Sequence, residues 1–479
     1  MKSIVKVIIL VIGLIITFPS QAQTNSSFVK TFGTFQNDVP KGLIQGNNND
    51  IIICGHKRND LYSNSSQSTI YLLDSLGNLK ENKIFNGLGF LYGITQIDSG
   101  YTFFGLEMNN SKAHESVILK TDYSLNFVDS FHVFLDTTSP NIAVRTIIDN
   151  DGHYLQSGYY FFGYPIPFLN KINNNGEIVN SRFGTYNGFF QGMNRRILED
   201  FAGDGYFLFD QLDAGNSMIM HLDSNLNLDS SKSLEMPNIT QDTHDAVKIG
   251  SDKIFYVSKG VDVGQFYAVC IDTANTLHYY KEIGHPQHRN YFLDGLSLHN
   301  NSLFIASNSL PDLSNLYFPK DTNRIKLIKM DTSLNIQWEK ELGWDAYFTM
   351  STVHATNDGG CLVSASVYDK DTMNQRHDIV LFKLDADGNV TNTHRIEDAA
   401  GQSLSVYPNP GDDYFSFNLP IGKATLQVFN QNGKLLFDQP LTGKGSQKID
   451  MKQYASGVYF LRLIDEKQQI VGTAKWIKR

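Results

Sequence analysis

An apolar run, an Asp or Asn, a short turn and a second strand-like run recur seven times, as LLDSLGNL, LKTDYSLNF, NKINNNGEI, HLDSNLNL, CIDTANTL, KMDTSLNI and KLDADGNV. The anchors are Asp74, Asp122, Asn173, Asp223, Asp272, Asp331 and Asp385, spaced 48 to 59 residues apart. A fixed period of this length marks one supersecondary unit per repeat. In the second copy, 93–98, 101–107, 116–122 and 126–134 read as four strands, rich in β-branched and aromatic residues and split by Gly, Asn and Asp turns. Asn175-Gly176 and Asp387-Gly388 supply the positive-φ residues of tight hairpins. Helical 3.6-residue periodicity is nowhere sustained. Four-stranded units repeated radially leave only short, protected edges, so the reading is an all-β chain whose residues 28–398 form a seven-bladed β-propeller. Residues 28–33 (FVKTFG) resemble fourth strands such as 280–284 (YKEIG), which gives one fourth strand too many. This segment is expected to close the ring on the last blade, beside or instead of 389–396.

Turns between first and second strands are short, whereas second-to-third loops such as 56–68, 159–167, 307–324 and 366–378 are long and varied. Function concentrates on variable loops held by a rigid scaffold. Aromatics gather on the face that these loops share with the blade-to-blade crossings, among them Tyr160, Tyr186, Phe190, Tyr291, Trp344 and Tyr347. Flat rings beside Asn and Asp suit glycan or protein recognition, and rings at such places also wedge between adjacent blades. Aligned innermost strands put Ile94, Arg145, Arg196, Asp245 and Asp294 at equivalent positions around one channel mouth. An Arg there grips a carboxylate or phosphate bidentately; alternatively the two Arg and two Asp pair with one another and seal the channel.

A net charge of −9 and a pI near 5.8 argue against nucleic acid as a partner. The only cysteines, Cys54, Cys270 and Cys361, lie in apolar runs with no metal-site spacing, so neither a disulfide framework nor a zinc site is expected. His285, His288 and Arg289 imply no third metal ligand, and Asp385 to Asn389 lacks the later ligands of a calcium loop. No nucleophile elbow, P-loop or zincin motif occurs, and no pair of carboxylates is singled out. No catalytic residue, metal or cofactor is assigned.

Lys2 and Lys6 precede a 12-residue apolar run at 7–18, followed by Ser20-Gln21-Ala22. This is the pattern of a secretory signal cut after Ala22, and the run is short of the ~20 residues that span a bilayer. No later segment reads as a transmembrane span.

Beyond Gly401 the repeat stops. Residues 402–479 read as a small Ig-like β-sandwich with an Asn432-Gly433 hairpin and prolines at an entry edge. The elements Tyr407-Pro408-Asn409-Pro410, Asn432-Gly433-Lys434, Ser456-Gly457-Val458-Tyr459 and a closing strand from Lys475 to Lys478 resemble the C-terminal sorting domain of the type IX secretion system of Bacteroidetes. The resemblance implies Sec export to the periplasm and passage across the outer membrane. It also implies removal of the domain by a sortase-like peptidase, with the cargo released or left on the surface. It says nothing of what residues 28–398 do. For those, the first expectation is a non-catalytic glycan- or protein-binding module. The alternatives are a polysaccharide hydrolase or lyase on the same fold, and a surface scaffold.

Overall fold

The computed structural model describes residues 27–33, 36–58, 66–85, 87–108, 114–133, 141–161, 165–184, 196–211, 217–233, 243–259, 266–274, 276–283, 290–291, 295–309, 322–368, 376–390, 402–404, 406–419, 422–430, 434–465 and 470–479. The chain divides into two compact units, Met1–Thr391 and Asn392–Arg479. Among the described residues no helix is long and apolar enough to cross a membrane.

The first unit is built of repeated four-stranded antiparallel sheets, with neighbours in sequence also neighbours in the sheet. The first sheet runs Asn37–Gln45, Ile51–Arg58, Ser66–Leu73, Leu79–Lys83, and the second Leu88–Ile97, Gly100–Met108, His114–Thr121, Phe127–Val133. Three more follow, opening with Asn141–Ile148, Arg196–Glu199 and Thr243–Ile249. In the sixth, both Asn290–Tyr291 and Leu296–His299 pair with Ser302–Ser309, so its innermost strand is interrupted. The seventh contains Tyr347–Ala355, Cys361–Tyr368 and His377–Leu384. Middle strands are apolar on both faces because both faces are covered; Cys361–Tyr368 is buried at every residue. Outermost strands alternate instead, as in Leu277–Glu282.

The repeated anchor is turn chemistry. Asp74 Oδ1 accepts the backbone N–H groups of Leu76 (2.9 Å) and Asn78 (2.8 Å), while its Oδ2 takes the Asn78 amide at 2.9 Å. Asp122, Asp223, Asp331 and Asp385 repeat this pattern. The bonds from Asn126 hold the Asp122 carboxyl below its usual range. The third residue past the anchor adopts left-handed φ, at Gly77 (74°), Leu125 (59°), Gly176 (84°), Leu226 (62°), Leu334 (64°) and Gly388 (76°).

Leucine is costly in that region, and packing explains its use. Leu125, Leu226 and Leu334 are buried in clusters shared with the preceding sheet. Where the residue is glycine, an aromatic ring of the preceding sheet's outermost strand fills the place. A Cβ on Gly176 would lie 2.7 Å from Phe131, and one on Gly388 would lie 2.9 Å from Trp338. At Gly77 the ring is Phe28, 2.4 Å from the would-be Cβ.

Phe28 therefore does for the first sheet what an outermost strand of a preceding sheet does elsewhere. Accordingly, Phe28–Phe32 pairs antiparallel with His377–Leu384, Phe28 opposite Lys383 and Phe32 opposite Ile379. Both edges of His377–Leu384 are thus taken, by Cys361–Tyr368 and by the N-terminal strand. The N-terminal strand holds the edge that 389–396 would otherwise occupy; of that segment only residues 389–390 are described, and they are not in a strand. Apolar clusters join each sheet to the next, and one joins Leu362, Ile379 and Leu381 of the seventh sheet to Leu43, Ile51 and Ile53 of the first. Cys54, Cys270 and Cys361 are buried in these layers outside any disulfide.

In the second unit one sheet orders Gln402–Ser403, Ile470–Lys478, Gly457–Ile464, Lys423–Asn430 and Leu435–Thr442, and the other pairs Tyr414–Leu419 with Gly445–Asp450. Phe415, Phe417 and Ile449 of the small sheet pack with Leu426, Val428, Leu461, Leu463 and Trp476 of the large one. Gln402–Ser403 runs parallel to the closing strand, so the unit is not wholly antiparallel. The Asn432-Gly433 turn lies outside the described residues.

Candidate functional site

β-Bulges interrupt the ladder of five of the innermost strands, whereas Arg196–Glu199 and Leu296–His299 pair in regular register. The register shifts between Pro40 and Gly42, Leu91 and Gly93, Ala143 and Arg145, Thr243 and Asp245, and Thr349 and Thr352. A bulge puts two residues opposite one and redirects the side chain beside it. At the seventh strand the bulge holds Met350 at φ 53°. A cavity of about 480 Å³ is lined by the innermost strand of each repeated sheet among the described residues. That volume falls in the ~300–1,000 Å³ range of ligand pockets.

Arg145, Arg196 and Asp245 all line it. Arg196 Nε stands 3.1 Å from Asp245 Oδ1 and donates to Ala246 O at 3.0 Å. Asp245 is buried, and its other oxygen accepts the backbone N–H of Leu296 at 3.2 Å. The Arg196–Asp245 pair therefore stitches the fourth, fifth and sixth sheets together rather than presenting two open charges. Arg145, half-buried, belongs to the third sheet beside the hydrogen-bonded hydroxyls of Tyr92 and Thr146 (3.0 Å). Asp294 lies outside the described residues.

The cavity also holds Lys41, Lys248, Ser297, Thr352 and His354, which the sequence does not single out. Of these, Lys41 is the extra residue of the bulge between Pro40 and Gly42. Lys41 Nζ contacts Met350 Sδ at 3.3 Å, and Lys248 Nζ donates to Asp200 O at 3.0 Å. Burial, with His299 adding to it, pushes the His354 imidazole down to about 4, so the ring is neutral near pH 7.

Of the aromatic residues expected on the loop face, Tyr160, Tyr291, Trp344 and Tyr347 are among the described residues. Tyr347 is buried at 1% exposure and packs with Tyr368. Trp344 lies edge-on against Phe348, centroids 5.1 Å apart, on the cluster between the sixth and seventh sheets. Tyr160 is half-buried against the cluster of Leu106, Ala143 and Phe168. Trp344 and Tyr160 thus pack on clusters shared by two sheets, whereas Tyr347 packs with Tyr368 of its own sheet. Tyr291 is in the short strand Asn290–Tyr291, and Tyr186 and Phe190 lie outside the described residues, as do His285, His288 and Arg289.

Among the described residues two compact donor sets could take a cation, Glu107 with Glu115 and His132, and Asp149 with Asp151 and His153. The second is engaged otherwise: Asp149 accepts Tyr206 OH at 2.7 Å and lies 3.4 Å from Lys171 Nζ.

In the second unit the motif residues fasten the entry segment to the closing strand. Tyr407 exchanges backbone hydrogen bonds with Ser416, at 2.9 and 2.8 Å, and leaves its ring half exposed. Asn409 donates to Lys475 O at 2.7 Å and accepts Ile477 N at 3.0 Å. The peptides preceding Pro408 and Pro410 are both cis. Pro408 O accepts Trp476 Nε1 at 2.8 Å. Gly457 opens the strand whose Tyr459 hydroxyl donates to Ala455 O and whose ring packs 5.8 Å from Trp476. Buried Lys478 donates to the carbonyls of Met451 and Tyr454, each at 2.8 Å.

No curated protein matches the chain. Similar solved structures include the β-propeller domain of the Trilobed protease from Pyrococcus furiosus, at 9% identity over 74% of this chain and 100% of that one, TM-score 0.42. They also include a variant of Synechocystis apocarotenoid oxygenase, at 10% identity over 74% and 91%, TM-score 0.41. A third is puromycin hydrolase, at 8% identity over 80% of this chain and 58% of that one, TM-score 0.49. The repeated-sheet region matches no specific family. Residues 405–479 match the family described as the secretion system C-terminal sorting domain, so the chain carries the tail of a type IX secretion substrate, destined for the cell surface or for release.

Proposed function

We propose that this is a type IX cargo whose residues 28–398 form a seven-bladed, non-catalytic β-propeller that binds its ligand in the central channel. On this reading residues 1–22 are a Sec signal. Residues 402–479 are the Ig-like sorting domain, removed by a sortase-like peptidase after the outer membrane is crossed. The carrying observation is the cavity to which every sheet contributes its innermost strand. Closed radial folds place binding groups of remote sequence around one axis in this way. Among the described lining residues Asp245 is the one carboxylate, and it is engaged by Arg196 and Leu296. Hydrolysis by two carboxylates asks for a second, separately poised group, so binding without turnover is the better reading.

A polysaccharide screen with the full chain tests it. The expected result is retention of a glycan with no new reducing ends or unsaturated products. Product release would put an enzyme in place of the binding module. Neither signal would leave the surface scaffold.

A further inference from the structure

We propose that Glu107, Glu115 and His132 form a site for a divalent transition-metal ion such as zinc, on three adjacent strands of the second sheet. None of the three lines the central channel, so the inference does not rest on the channel as a binding site. Glu107 belongs to Gly100–Met108, Glu115 to His114–Thr121 and His132 to Phe127–Val133. Register brings them together. Glu107 stands directly opposite Glu115, and His132 stands opposite Val117, two residues from Glu115 and so on the same face of the sheet. His132 Nδ1 lies 3.1 Å from Glu107 Oε2 and 3.2 Å from Glu115 Oε2. All three ligand atoms fall within 4.8 Å of one another.

Two glutamates directly opposite each other repel, and a cation between them turns repulsion into attraction. Zinc ligands about 2.0–2.2 Å from the ion stand about 3.3–3.6 Å apart in a tetrahedron. The separations of the imidazole from each carboxylate are close to that, so the sheet holds the donors near their bound positions before the ion arrives. The site needs these atoms to converge, not to be idle, because an ion displaces weaker contacts made by the same atoms. The donor set also selects the metal. One imidazole nitrogen with two carboxylate oxygens suits zinc and its first-row neighbours, whereas calcium takes about 6–8 oxygens. In the bound state the imidazole presents the Nδ1 lone pair and carries its proton on Nε2.

Three protein ligands leave a coordination position open. A second cavity, of about 270 Å³, opens beside the donors and is lined by both Glu107 and His132, with Phe85, Leu88, Val117 and Leu119 as apolar walls. It gives room for water or a small ligand on the open position. The His132 side chain is 41% exposed, so the ion enters from solvent. The glutamate side chains, 22% and 19% exposed, are partly desolvated, which strengthens their hold on it.

The test is equilibrium dialysis of the metal-free full chain against zinc chloride, with calcium chloride and magnesium chloride as comparisons. The expected result is a zinc ion held more tightly than either comparison ion. Losing a partner behind a metal ligand costs about 10–100-fold in affinity. His132→Ala removes a ligand itself and is expected to weaken the zinc site by at least about tenfold. Glu107→Gln removes one charge at almost unchanged shape and repeats the test should the first variant fold poorly. The control is His278→Ala. His278 is similarly exposed, at 38%, but meets a single carboxylate, Asp272, at 3.3 Å. Its loss is expected to leave the tightest zinc site unchanged. No zinc retained by the full chain overturns the inference, as does zinc retained undiminished by both His132→Ala and Glu107→Gln. A loss in His278→Ala equal to that in His132→Ala overturns the placement of the site. Calcium or magnesium bound as tightly as zinc overturns the choice of metal and the role of the imidazole.

Discussion

Phe28→Ala is expected to destabilise the repeated-sheet unit by about 3–5 kcal/mol, the cost of removing a large buried aromatic. Phe28 is 3% exposed and sits among Leu43, Ile51, Ile53, Tyr71 and Leu73 of the first sheet and Leu362, Ile379 and Leu381 of the seventh. Its ring also occupies the space over Gly77, which has no side chain to fill the gap left behind. The loss falls on the seam where the two ends of the repeat array meet. Urea unfolding of the full chain checks it, with Phe127→Ala as the control. Phe127 is also a strand phenylalanine, but it is 60% exposed, and its truncation is expected to change stability by less than about 0.5 kcal/mol. Equal midpoint shifts in the two variants would mean that the N-terminal strand does not close the ring.

Asp378→Asn is expected to act at the same seam in the opposite direction. Burial pushes the Asp378 carboxyl up to about 6, and the charge of Asp38 adds to this while Arg376 opposes it. Asp38 is fully buried and accepts the Tyr71 hydroxyl at 3.2 Å. Gly33 presses on the same carboxyl, since a Cβ there would stand 2.0 Å from Asp378 Oδ1. The folded state thus favours the protonated acid, whereas the unfolded chain releases the proton at an ordinary carboxylate value. Stability from this group is fully present below about pH 4 and is lost as the pH rises through about 6. A displacement of about two units corresponds to about 2–3 kcal/mol at pH 7.5. Asparagine resembles the protonated acid and cannot ionise. The variant is therefore expected to be more stable than the wild type by about that amount at pH 7.5, and nearly equal to it at pH 4. Parallel stability curves from pH 4 to 8 would contradict this.

Both effects show where sequence reasoning reaches and where it stops. The Asp and Asn anchors are legible because the turn they cap is local: the carboxylate bonds N–H groups two and four residues on, and the partner Asn stands in the same short stretch. The surplus of one fourth strand is legible as a count. Its resolution is not, because the choice between 28–33 and 389–396 for one sheet edge is a pairing between opposite ends of the array. Arg145, Arg196 and Asp245 are found by aligning repeats, which carries each to the same height on the axis. Lys41 escapes because it is the extra residue of a bulge, and nothing in a Pro-Lys-Gly sequence marks one. Tyr347 and Trp344 illustrate the remaining ambiguity. A ring that packs against the protein's own aromatic residues and one that meets a ligand look alike in the sequence, and packing alone separates them.

The most direct test of the account is a crystal structure of the full chain grown with the glycan that binds most tightly. The account predicts the glycan in the central channel, in contact with lining residues such as Tyr92, Arg145 and Thr352. Sugar on the outer loops, with the channel holding only water, would contradict it.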